Sequence, residues 1–126
     1  MNTFRNEPLL ELRRGAVRTE CLTALAALDA KLPLEVPMLI GEDVVHGQVF
    51  SSVDPGNPTV VVANAHSATA QHAHDAITAA ERGQRLWSQR PATERAAALS
   101  RAAGILRSRR YELAALAVRE CGKPWA

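Results

Sequence analysis

"DPGNPTVVVANAHSATAQHAHDAITAAERGQRLW", Asp54 to Trp87, holds the transition that decides the fold. Asp54-Pro55-Gly56-Asn57-Pro58 gathers turn formers, each favouring a chain reversal for its own reason. The β-branched run at Thr59–Val62 then predicts a strand. Ser67 is placed to cap a helix, and Ala70, Ala73, Ile77 and Ala80 share one helical face on the way to Leu86 and Trp87. Turn, strand and helix therefore follow one another here without a long loop.

Upstream, β-prone runs at Met38–Ile40 and Gln48–Val53 predict two more short strands, punctuated by Gly41-Glu42-Asp43 and Gly47. Before them, Val17, Cys21, Leu25, Leu28 and Leu32 recur at helical spacing from about Ala16 to Lys31, and Pro33 stops that helix. Asn2 to Leu10 reads as extended or irregular, because Pro8 disfavours helix at Glu7. Downstream, Pro91 suits a first helical turn. A stripe of Leu99, Ala102, Ala103, Leu106, Leu113 and Ala117 then runs through a helix from about Ala92 to Glu120. Arg107-Ser108-Arg109-Arg110 lacks an apolar anchor, and Ser108 can compete for backbone hydrogen bonds, so a bend is expected there. Gly122 is placed just past the helix end and Pro124 follows where no helix can continue. The expected class is α+β: an N-terminal helix, three short strands in a hairpin-like sheet, and two long C-terminal helices.

A chain of 126 residues is the size of one domain, but its apolar content is rich in alanine and includes only two Trp, one Tyr and two Phe. Alanine buries little area, so hydrophobic stabilisation per residue is low. The net charge of +2 gives no case for nucleic acid or an anionic membrane. The basic run Arg101 to Arg110 sits in a helical pattern without interleaved aromatics and reads as a solvated face. No apolar run reaches the roughly 18 residues of a membrane span. "CLTALAALDA" after Arg13, Arg14 and Arg18 only imitates a secretion signal, since Glu20 and Asp29 bracket it. Cys21 and Cys121 lack metal-type spacing and read as reduced, half-buried thiols, which fits a cytoplasmic setting.

Side chains with chemical potential do not converge. His66, His72 and His74 cluster at a helix start, but His72 and His74 point about 160° apart on a helix, so exposed helix histidines are expected. His46 falls in a turn, as do Glu42 and Asp43. Glu94 favours a first helical turn through the helix dipole, and Glu112 lies on a solvated face. The glycines form no phosphate loop and the serines no nucleophile elbow. The residues alone describe a mainly helical domain with no catalytic or cofactor-binding residue.

The ordered series is more informative than any piece. "VPMLIGEDV", "VDPGNP", the alanine-rich helix ending near Trp87, "PATER" and "ECGKP" follow one another as an Ile-Gly hairpin, an Asp-Pro turn, a strand, a helix, Pro-x-x-Glu-Arg and Glu-x-Gly-Lys-Pro. That order resembles the opening of an aldehyde dehydrogenase. "FRNEPLLEL" at Phe4 to Leu12, the added helix, and "GKPW" ending at Trp125 resemble the L-glutamate γ-semialdehyde (1-pyrroline-5-carboxylate) dehydrogenase branch.

The resemblance implies an N-terminal extension and helix over residues 1–34. Residues 35–126 would be the first portion of the aldehyde dehydrogenase domain, ending before its dinucleotide-binding core. It implies a native start at Met1 and a cut end at Ala126, with about a quarter of such an enzyme present. The family's nucleophilic cysteine, general-base glutamate, oxyanion-hole asparagine and NAD-binding strands would lie further along, and neither Cys21 nor Cys121 matches the nucleophile's motif. The chain alone is expected to be inactive and to bind no NAD, with the remainder of the parent enzyme as partner and a homo-oligomer as the assembly. The family's monovalent-cation site would map to the carbonyls of Ser52 and Val53 and to Glu120, the other reading being Glu120 as an ordinary helix-end residue. The alternative to a dehydrogenase segment is a free-standing, non-catalytic interaction or oligomerisation module built on the helices' apolar faces.

Overall fold

A computed structural model describes residues 6–124. Phe4 and Trp125, both used in the branch resemblance, lie outside the described residues. The elements run α1 (Gly15–Asp29), β1 (Leu34–Val36), β2 (Met38–Ile40), β3 (Asp43–Val45), β4 (Gln48–Asp54), β5 (Asn57–Ser67), α2 (Ala70–Ser88), α3 (Ala92–Ser108) and α4 (Arg110–Cys121).

The α+β class stands, with more strands than the sequence suggested. One sheet has the order β1-β5-β4, with β5 parallel to β1 and antiparallel to β4; β2 and β3 form a separate antiparallel hairpin. Its reversal is the two-residue turn Gly41-Glu42, where Gly41 takes φ +63 and so supplies the left-handed backbone a tight hairpin needs. β5 runs to Ser67 rather than stopping at Val62. Ala63 to Ser67 have little intrinsic strand preference, but they lie between β1 and the first half of β4, and pairing on both sides overrides propensity.

That extension moves the helix start. Ser67 ends β5, and the cap of α2 is Thr69, whose Oγ1 accepts from the His72 backbone N–H at 3.2 Å. The Thr69 N–H in turn donates to His72 Nδ1 at 3.2 Å, so histidine fills the place that Glu or Gln usually takes in a capping box. The bend expected at Arg107–Arg110 is a full break: α3 stops at Ser108, whose hydroxyl donates to the Ile105 carbonyl at 2.8 Å, and α4 begins at Arg110.

The core is small and lies where α1 crosses α4. Leu25, Leu28 and Ala115 are buried there, backed by Ala24, Leu32, Leu34, Leu116 and Val118, while Val62 is fully enclosed at the centre of the sheet. Neither α2 nor α3 buries a residue, and Leu86, Leu99, Ile105 and Leu106 stand exposed. The chain, of 13.6 kDa, presents 9863 Å² to solvent. A compact monomer of that mass would present about 6600 Å².

Candidate functional site: the junction of α4 with β4

Two consecutive residues at the end of α4 hold two residues of β4 that share a face. Ser52 Oγ donates to Glu120 Oε1 at 2.7 Å, and Arg119 Nη1 donates to Asp54 Oδ2 at 3.3 Å. Strand side chains two apart point the same way, and this face is turned to α4. Arg119 also grips Asp29 at the end of α1 with both prongs, Nε to Oδ1 at 2.8 Å and Nη2 to Oδ2 at 2.6 Å. The Asp29 carboxylate, ahead of a second contribution from Asp54, raises the Arg119 pKa above its ordinary value, so the guanidinium stays charged throughout the accessible pH range.

Asp54 is the one buried charged residue here, 5% exposed, and both of its oxygens are used. Oδ2 faces Arg119, and Oδ1 accepts the Gly56 N–H at 2.7 Å, shaping the turn into β5. Gly122 closes the junction: it takes φ +60, and a Cβ there would sit 3.0 Å from Pro55 Cγ. The exit from α4 is thus fixed against the turn at Asp54–Asn57 by glycine's freedom and by the space only glycine leaves.

The Ser52 hydroxyl and Glu120 therefore meet, with Val53 next in the strand. The β4–β5 pairing is irregular between Ser52 and Asp54, so this part of the strand departs from an even ladder. Among the described residues no three of His, Cys, Asp and Glu converge as a metal cluster.

The other polar candidates are divided among structural tasks. His66 lies on β5, not at a helix start; its Nδ1 sits 3.0 Å from the Gly47 N–H and 2.9 Å from the Gly47 carbonyl, and its ring meets His46 edge-on at 4.9 Å. Gly47 is confined in turn, because a Cβ would lie 2.4 Å from the Ser67 carbonyl oxygen. Three arginines of the run are exposed but partnered: Arg107 binds Glu7, Arg109 binds Glu112, and Arg110 lies 5.0 Å over Tyr111. Cys21 is buried and Cys121 exposed, both free, instead of two half-buried thiols. Asp54 and Arg119 escaped sequence reading because their partners lie 65 and 90 residues away; the sole local hint was the Asp-Pro turn.

Residues 44–126 match the model of the aldehyde dehydrogenase family, and the chain belongs to that family. Its relatives narrow the comparison. It is 37% identical over 123 residues to the 1-pyrroline-5-carboxylate dehydrogenase of Geobacillus kaustophilus strain HTA426, and 39% identical to 1-pyrroline-5-carboxylate dehydrogenase 2 of Bacillus subtilis strain 168. Each match covers 97% of this chain and 24% of the relative. A structure of 1-pyrroline-5-carboxylate dehydrogenase from Thermus with bound NAD superposes with a TM-score of 0.95 at 30% identity, over 99% of this chain and 24% of that one. Proline utilization A from Bdellovibrio bacteriovorus gives 0.94 at 36% identity, over 98% and 13%. The chain thus spans about a quarter of the length of the curated relatives it matches.

Proposed function

We propose that this chain forms the N-terminal part of an NAD-dependent dehydrogenase that oxidises L-glutamate γ-semialdehyde to L-glutamate in proline catabolism. The observation that carries this reading is the match, end to end, with relatives that bear that activity in their names. In such an enzyme the aldehyde carbon and water yield the carboxylate, and NAD takes up the hydride. The part of this chain is to position. Its α4–β4 junction sets the direction in which the polypeptide leaves Gly122, and its unburied α2 and α3 faces await the protein that carries the chemistry.

The same reading includes a monovalent cation held by the Ser52 and Val53 carbonyls and by Glu120, a boundary near residue 34 between extension and domain, a cytoplasmic site of action, and a homo-oligomer as the working form. Neither nucleic acid nor membrane is a partner in it. Among the described residues no helix is long and apolar enough to cross a membrane. The exposed apolar helix faces also suit a free-standing interaction module, and one experiment separates the two. The Geobacillus kaustophilus relative, lacking the region aligned here, is mixed with the 126-residue chain and assayed for NADH formed from the semialdehyde. Activity restored by the mixture and absent from either part is the expected result. Activity from the 126 residues alone would overturn the division of labour, and a mixture that stays inactive without forming a complex would favour the free-standing module.

A further inference from the structure

The box that closes the start of α2 holds in only one protonation state. A backbone N–H can only donate, so the 3.2 Å contact from the Thr69 N–H makes His72 Nδ1 an acceptor, with the ring proton on Nε2. Glu or Gln, the ordinary residues of this position, keep an acceptor oxygen at physiological pH. Imidazole does not. A second proton goes to Nδ1, which carries the ring's free lone pair, and leaves the Thr69 N–H without its acceptor. It also puts a positive charge in the first turn of a helix, where the dipole disfavours it.

The released ring has a second place to sit. His72 lines a cleft of about 290 Å³ between α2 and the β2–β3 hairpin, with Ile40 and Val45 on the hairpin side. The charged groups lining it are Asp43 from β3 and Asp75 and Arg82 from α2, so two carboxylates face one guanidinium. Asp75 lies one helical turn past His72 on the same face, and Gln71 engages only its Oδ1, at 2.9 Å. β2, Met38–Ile40, brings no charge. The other histidines are placed elsewhere: His46 and His66 meet each other beside Gly47, and His74 projects about 160° round the helix from His72. The hairpin turn itself rests on α2, since a Cβ at Gly41 would lie 3.5 Å from Ala79 Cβ.

We propose that His72 is a proton-sensitive cap with two seats. Neutral, it closes the capping box on Thr69; protonated, it leaves Thr69 and turns into the cleft towards Asp75 and Asp43, loosening the first turn of α2 while its ring lies against the hairpin. The start of α2 is thus closed on the alkaline side of the imidazole transition and open on the acidic side. The inference goes beyond the dehydrogenase reading and stands or falls separately from it, because the cap, the cleft and the hairpin all lie within this chain.

Proton–nitrogen correlation spectra of the isotope-labelled 126-residue chain read the His72 ring and the Thr69 amide in one pH titration. The neutral ring carries its proton on Nε2, and the Thr69 N–H loses protection about fivefold, the worth of one capping contact, as the ring takes up its second proton. Nuclear Overhauser contacts of the ring pass from Thr69 to Val45 over the same range. His72→Gln keeps an acceptor in the box and removes the titration, so Thr69 protection no longer varies with pH. Asp43→Asn with Asp75→Asn lets the protonated ring quit Thr69 without settling against Val45, and His74→Gln leaves the response unchanged. The proposal is overturned by a neutral ring protonated on Nδ1, by a Thr69 amide that does not follow the ring, or by a response that survives His72→Gln. A response that His74→Gln removes, or a ring that settles against Val45 without the two carboxylates, also overturns it.

Discussion

Helices α1 and α4 meet beside β4 and bury residues there, while α2 and α3 bury none. At the α1–α4–β4 junction, Leu25 and Leu28 pack on Ala115, and Arg119 ties Asp29 to Asp54. The α2–α3 arm has helices at least as long and no buried residue on either. Both regions are equally regular in backbone, so regularity does not report stability. A helix is stabilised mainly by what covers its apolar face, and only the junction has its cover within this chain. The difference explains how the chain can superpose so closely on a quarter of its larger relatives and still expose far more surface than a compact monomer.

The largest test of this contrast is a pair of truncations. Leu28→Ala, in the core, lowers the unfolding free energy of the chain by about 3 kcal/mol, read from denaturant melts. Leu99→Ala, on α3, changes it by less than about 0.5 kcal/mol. Equal losses would show that the arm is packed after all. Next comes Arg119→Met, which leaves the buried Asp54 carboxylate without its cation; a cost of roughly 1–3 kcal/mol is expected. Arg119→Lys recovers only part of it, since an ammonium cannot reproduce the two-pronged grip on Asp29. Gly122→Ala follows, at about 1–2 kcal/mol for a left-handed backbone position, sharpened by the close approach of Pro55. A neutral outcome there would mean that the exit from α4 is not fixed.

The smallest effect is electrostatic and lies on the segment that crosses α3. The hydrogen bond from Arg107 lowers the Glu7 pKa, with the attraction of Arg107 and Arg110 adding to it. A carboxylate whose folded pKa is depressed contributes stability that is fully present above its unfolded value, about 4.3, and is lost as pH falls through the lower folded value. Fluorescence or chemical-shift titration below that pH should show residues 7–10 loosening from α3, and Glu7→Gln should abolish the dependence. Both partners are well exposed, so the contribution is small.

Much of this was legible in the sequence because it is local. The stripe of Leu25 and Leu28, the Asp-Pro turn, a bend near Ser108 (though not the full break) and the Gly122 exit all follow from spacing or from one residue's conformational preference. The contact of the Ser52 hydroxyl with Glu120, 68 residues apart, is one that periodicity could not foresee. The second half of β5 was missed because alanine, asparagine and histidine join a strand only when flanked on both sides. That miss set the expected cap at Ser67 instead of Thr69 and left His66 just ahead of a helix start instead of inside a strand. β1 was missed because three residues between prolines carry too little pattern, and the Asp29–Arg119–Asp54 link exists only in three dimensions.

Hydrogen exchange along the 126-residue chain, before and after addition of the Geobacillus kaustophilus relative lacking the aligned region, tests the central claim most directly. Alone, α1, β4, β5 and α4 should exchange slowly while α3 and the second half of α2 exchange fast, and the relative should slow the arm without changing the junction. Uniform protection in the free chain, or an arm that the relative leaves unprotected, would contradict the account.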